Sequence, residues 1–268
     1  MSGSDPDPLE NIIELFERRG QVDGLSALID ALASGENATD LASTAIAIDA
    51  NVFMRVSTHS KSTLIIDYLA SQHSAPLVLP GQAVQEFWNN QIDAVDTVAT
   101  KLKKSFDALR TQIEKVPDDL SDFTSRMSSL LDEFSEKHGY IYEGATVAKT
   151  SEFLSILKDK AVVPYCPRPV IHNIAAHRKS TKTPPGFKDQ GDGDFFIWAD
   201  LLYGLRKLQL EGGEFSHVVL VTNDTKKDWS REGKAHPILA AEISALLNAT
   251  FETWTLEKLI KEIERAIE

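Results

Sequence analysis

Hydrophobic and polar positions along this chain alternate between two rhythms. Ala45-Ile46-Ala47-Ile48 is a short unbroken apolar run closed by Asp49, and His217-Val218-Val219-Leu220-Val221-Thr222 is a longer one. Runs of this length without a polar face predict strands buried on both sides of a parallel sheet. Pro76–Pro80 reads as another strand and Thr250–Thr255 as a last short one. Between them the rhythm is helical: Leu64–Leu69, Gly81 onward, Phe195–Leu208 (apolar nearly all round), Pro237–Leu247 and Leu256–Ile267. Ahead of the first strand, residues 1–8 read as a disordered tail. Asn11–Arg19 and Leu25–Ala33 read as two short amphipathic helices, ended by Gly20 and Gly35.

From Gln91 to Lys160 the pattern is helical and highly charged, broken at Pro117 and Gly139. Leu102, Phe106 and Leu109, and again Leu130, Leu131 and Phe134, fall at helical spacing, but no heptad is sustained. This predicts inserted helical hairpins. The division expected is a tail with short helices over 1–44, then one domain over 45–268 carrying a helical insertion at about 91–160. Strands alternating with helices predict a parallel sheet with helices on both faces. Such sheets place their sites beyond the carboxyl ends of the strands.

Composition adds bounds. The chain has 268 residues, 42% hydrophobic and 25% charged, as ordinary soluble proteins do. No apolar run approaches the ~20 residues that span a bilayer, and the first residues lack the basic and apolar regions of a signal peptide. Cys166 is the single cysteine, which excludes an internal disulfide framework and a thiolate metal cluster. These points favour a cytoplasmic protein away from membranes.

The net charge of −12 argues against a phosphate-rich partner. Local charge tells a different story. No Asp or Glu occurs from Lys160 to Lys188, a stretch holding Arg168, Arg178, Lys179 and Lys182, with His172 and His177 between them. It is either a merely solvated loop or an arm that contacts phosphates, and its place just before the acids at 189–194 favours the arm.

The acids decide the chemistry. Asp49 closes the first strand, Glu86 lies in the helix after the second, Asp224 follows the strongest strand, and Asp194 opens the most apolar helix. Taken singly, Asp49 and Asp224 suit a helix cap or an Asx-turn, Glu86 suits solvated surface, and Asp194 suits a helix dipole. Asp189, Asp192 and Asp194 within six residues exceed what capping needs. All four sites also share one kind of location, the downstream edge of a strand or the helix beyond it. Carboxylates gathered there repel one another and are costly to desolvate, and a hard divalent cation is the usual remedy.

With the flanking residues, these elements resemble the PIN-like domains. The matching parts are Asp49-Ala50-Asn51, Glu86, Pro184-Pro185-Gly186-Phe187-Lys188-Asp189, Gly193-Asp194-Phe195-Phe196-Ile197-Trp198 and Thr222-Asn223-Asp224-Thr225-Lys226-Lys227-Asp228-Trp229. The resemblance covers roughly residues 45–255. It implies a Rossmann-like three-layer α/β/α sandwich with a central parallel sheet, and Mg²⁺- or Mn²⁺-dependent hydrolysis of phosphodiester bonds, most often in RNA. It implies an acidic cluster of Asp49, Glu86, Asp194 and Asp224, to which Asp228 is added as a candidate ligand. Thr222 and Asn51 would support that cluster, and with Asp189 and Lys227 they are candidates on the substrate side. Arg178, Lys182, Lys188 and Lys227 are the candidates for holding phosphates.

The partner implied is nucleic acid, RNA ahead of DNA. A homodimer and an inhibitory or effector protein remain open. Two alternatives stand beside the nuclease: a catalytically degenerate PIN-like module that only binds nucleic acid or a protein, and a phosphatase with an aspartyl nucleophile. The last is disfavoured because Asn51 stands where a second Asp is expected.

Overall fold

A computed structural model describes residues 7–20, 22–33, 40–91, 104–113, 115, 121–138, 145–224 and 226–268. Most of the expected tail at 1–8, and much of the expected hairpin region between 92 and 144, lie outside the described residues.

In the order of the chain, α1 (Pro8–Phe16) and α2 (Gly24–Leu32) precede β1 (Thr44–Ile48), α3 (Ala50–Thr58), α4 (Ser62–Asp67), β2 (Leu77–Val78) and α5 (Gly81–Glu86). Residues 104–113 form α6. Then come α7 (Ser121–His138), α8 (Ala145–Lys160), β3 (Ala161–Val162), α9 (Arg168–Ser180), α10 (Gly193–Leu210), β4 (His217–Val221), the small β5 (Ser230–Arg231) and β6 (Lys234–Ala235), α11 (Pro237–Leu247), β7 (Thr250–Trp254) and α12 (Leu256–Ile267).

Among the described residues, five strands form one sheet in the order β3-β2-β1-β4-β7. Every neighbouring pair is parallel. β1 and β4 pair from Thr44 with His217 through Ile48 with Val221. Successive side chains of a strand point to opposite faces, and here both faces are dry. Ala45, Ala47, Val218 and Leu220 meet α1, α9, α10 and α11, while Ile46, Ile48, Val219 and Val221 meet α3, α4, α8 and α12. The small alanines share their layer with Trp198 and Phe195, bulky residues of α10, and the isoleucines belong to the other layer. The result is the expected three-layer α/β sandwich.

The helices follow their sequence patterns. In α12, Leu256, Leu259, Ile260 and Ile263 recur at helical spacing and are buried, and Thr255 caps the helix by accepting from Lys258 N at 3.2 Å. The last helix of the region expected as an insertion, α8, belongs to the core: Phe153 and Leu157 are buried against the α3 layer. No helix among the described residues is long and apolar enough to cross a membrane.

From β1 the chain proceeds to β2 and β3 on one side of the sheet, whereas β4 and β7 lie on the other. The crevice between β1 and β4 at their carboxyl ends is therefore a topological switch point, where sheets of this kind open a binding site.

Candidate active site

The switch point gathers the acids. Asp49, Asn51, Glu86, Asp194, Asp224 and Lys226 line one cavity of ≈ 150 Å³, with Ala50 and Ile197. Asp49 stands at the N-cap of α3 but its side chain caps nothing. Its Oδ2 instead accepts from Thr222 Oγ1 at 2.7 Å and from Asn51 Nδ2 at 2.6 Å. Asn51 Oδ1 accepts from Asn223 N at 2.9 Å, so one side chain ties the ends of β1 and β4 together. Burial, partly opposed by the Thr222 bond, pushes the Asp49 carboxyl up to about 6.

Glu86 reaches the cavity from the end of α5. Its Oε1 accepts from Gln82 Nε2 at 3.0 Å, one turn earlier. Gln82 is fixed in turn by Asp200, which is wholly buried, accepts from Gln82 N at 2.8 Å and pairs with Arg168 at 2.6 and 2.8 Å. A side chain at Gly193 would place its Cβ 2.3 Å from Glu86 Oε1, so the glycine leaves room for the carboxylate. Burial raises the Glu86 carboxyl above its ordinary value, against the Gln82 bond and the Lys226 charge.

Asp194 enters from the first turn of α10. Its Oδ2 accepts from Trp229 Nε1 at 3.0 Å and from Lys226 Nζ at 3.1 Å. Burial and the neighbouring Asp189 carboxyl push it up to about 7. For Asp189, burial works upward but is outweighed by bonds to Asp194 and Lys226, which hold it below its ordinary value. Asp224 accepts from Lys226 N at 2.8 Å through Oδ1, the Asx-turn its type favours, and meets Lys226 Nζ at 2.8 Å through Oδ2.

The sequence pattern gives no sign of the centre of this arrangement. Lys226 Nζ lies 2.6 Å from Asp189, 2.8 Å from Asp224 and 3.1 Å from Asp194. Burial would lower its pKa, but the carboxylates prevail and hold it far above the usual lysine value, so it is charged. The candidate chosen from the sequence, Lys227, points outward and is exposed. Adjacent lysines are alike in composition, and only the direction of the side chain separates them.

Two candidates are corrected. Arg178 is not a phosphate contact: it is 3% exposed and pairs with Glu242 at 2.7 and 3.1 Å, while also donating to Pro184 O. Asp228 does not line the cavity: it is fully buried, and its Oδ2 accepts from Gly186 N at 3.1 Å and Lys188 N at 3.4 Å. It thereby holds the Pro184–Lys188 turn, where Gly186 adopts φ +84° and any Cβ added to it would sit 3.2 Å from Asp194 Cβ. Thr222 is buried behind Asp49 and supports that carboxylate. Lys182 and Lys188 are exposed, on either side of that turn. The stretch expected as a basic arm is mostly α9, and Arg168 and Lys179 are committed within it, to Asp200 and to the Gln190 and Gly191 carbonyls.

Residues 170–242 match a family model described as PIN like domain. Over that span the chain is similar to a PIN-like domain. The matched span holds Asp189, Asp194, Asp224 and Lys226, while Asp49 and Glu86 reach the same cavity from outside it. No curated protein and no solved structure matches the chain.

PIN-domain nucleases typically use divalent metals. The donor chemistry fits one: these are buried carboxylates, hard oxygen ligands, two of them pushed up to about 6 and about 7 chiefly by burial. The spacing is not that of a closed metal site, since no group of three or more His, Cys, Asp or Glu among the described residues is arranged to hold an ion. Lys226 brings positive charge to Asp189, Asp194 and Asp224.

Proposed function

We propose that this protein is a divalent-metal-dependent nuclease that hydrolyses phosphodiester bonds, with RNA as the preferred substrate. One observation carries the reading. Asp49, Glu86, Asp194 and Asp224, from four separate elements, converge on one cavity at the switch point of the sheet, with Asp189 at its edge. No packing or capping need explains five carboxylates there, because assembling them costs stability.

In this reading Asp49, Glu86, Asp194 and Asp224 hold Mg²⁺ or Mn²⁺. When bound, such an ion acidifies a water and stabilises charge on the leaving oxygen. The chain's own groups prepare the site. Thr222 and Asn51 fix the Asp49 carboxylate, Gln82 aims Glu86, and Trp229 aims Asp194. Exposed Lys182, Lys188 and Lys227 are the cations offered to the phosphates of a bound strand. No nucleophilic side chain is required.

The test is a panel of single-stranded and structured RNA and DNA incubated with Mn²⁺, comparing wild type with Asp194→Asn. Expected is Mn²⁺-dependent cleavage of RNA by wild type, lost in the variant. Equal cleavage by both would remove these carboxylates from the chemistry. A second reading, a PIN-like module that binds without cutting, is favoured by the ammonium of Lys226 standing among the acids. Calorimetry separates them, since the binding module takes up no Mn²⁺ while remaining folded.

A further inference from the structure

We infer that Lys226 is an exchangeable counter-ion, whose ammonium holds the acidic cage together in the metal-free protein and yields that position to the divalent cation. The inference rests on the metal-dependent reading and concerns what occupies the cage before the metal does.

The geometry is that of a filled cation position. An ammonium has three protons to donate, and Lys226 Nζ finds three carboxylates, Asp189 at 2.6 Å, Asp224 at 2.8 Å and Asp194 at 3.1 Å. Its bonding is complete, so it offers nothing further to a substrate from that position. The oxygens it uses on Asp194 and Asp224 are carried by two of the residues lining the cavity. An ion taking those oxygens would sit in contact with the ammonium, and repulsion between the two cations drives the ammonium out.

Charge sets the direction of the exchange. One positive charge faces Asp49, Glu86, Asp189, Asp194 and Asp224, and it reaches only three of them. A divalent ion compensates more of that charge from the same position. Lys226 can also leave. Its side chain is 37% exposed, whereas Arg178, the cation of the nearby buried pair, is 3% exposed and sealed in. A lysine suits this duty because its ammonium is a compact, strongly hydrated point charge on a flexible stem, and water readily takes it back.

The experiment uses the wild-type chain. Amines are labelled with acetic anhydride, with and without MnCl₂, and labelling of Lys226 is read by peptide mass spectrometry against its exposed neighbour Lys227. Without metal, Lys226 is expected to label more slowly than Lys227. Mn²⁺ is expected to bring its rate up to that of Lys227, whose own rate stays unchanged. In parallel, Lys226→Met is expected to bind Mn²⁺ on the order of tenfold more tightly by calorimetry, the scale of an ordinary coupling between two ligands.

If wild type binds Mn²⁺ while Lys226 labelling does not change, the exchange is overturned and the metal reading stands. Unchanged or weaker Mn²⁺ binding by folded Lys226→Met overturns it as well. Absence of Mn²⁺ binding by both proteins overturns the exchange and the metal reading together.

Discussion

Two groups of buried charge sit side by side along α10, and they are built on opposite principles. At Trp198, the indole Nε1 donates to Glu242 at 2.8 Å, and Glu242 pairs with Arg178 through two bonds. The Arg178 guanidinium also stacks over Phe16 and Phe195, at 4.9 and 5.5 Å from the ring centres. One acid meets one base, and both are closed off from water. One turn earlier, Asp194 belongs to a cage with a single ammonium and a large excess of carboxylates. The matched pair is a joint between α9, α10 and α11. The unmatched cage joins no elements in that way, and under the proposed function its excess of acid is a binding demand rather than a packing demand.

The largest effect should come from breaking the joint. Arg178→Met leaves Glu242 buried without its partner, at a cost of about 3–5 kcal/mol, read as a lower midpoint in urea unfolding. Cleavage per folded molecule should persist. Loss of cleavage at unchanged stability would return Arg178 to the substrate and erase the contrast.

Gly193→Ala tests the cage without touching the joint. The added Cβ would fall 2.3 Å from Glu86 Oε1 and push that carboxylate aside. Metal-dependent activity should fall roughly 10–100-fold, the range for groups that orient a ligand, while the melting temperature stays near that of wild type. A fall in melting temperature without loss of activity would make Glu86 structural.

The smallest effect is a slope. Asp49 at about 6 and Asp194 at about 7 both lie above their ordinary 3.8. Each binds its proton more tightly folded than unfolded, so the folded chain holds extra protons between about pH 4 and 7. Metal-free stability from these groups is fully present below that window and is lost as pH rises through it. Thermal melts across pH should show this slope, flattened in Asp194→Asn. A slope of opposite sign would mean that the cage is already compensated like the Arg178 joint.

Much of this arrangement is legible in the sequence because it rests on local signals. The apolar runs before Asp49 and Asp224 mark β1 and β4, and helices α11 and α12 begin and end where their capping and periodicity place them. Asp49 and Asp224 betray themselves by standing at the exits of those two strands, and Asp194 by the acidic opening of an apolar helix. What the sequence hides depends on distant partners. Arg178 looks like one more base in an acid-free stretch until Glu242, 64 residues later, is found against it. Asp228 resembles another ligand until Gly186 and Lys188, about 40 residues earlier, claim its oxygen. β3 escapes notice because two residues at a sheet edge carry no rhythm.

The pairing of β1 with β4 also sets a time. Asp49 accepts its hydroxyl bond from Thr222, 173 residues further along, and its amide donates to Val221 O at 3.0 Å. A ribosome completes β1, β2 and β3 well before any chain exists to hold Asp49 in place. Through that interval the nascent chain owns half of its acids and none of its site. The cavity therefore cannot close around Asp49 until β4 and the turn after it have been made.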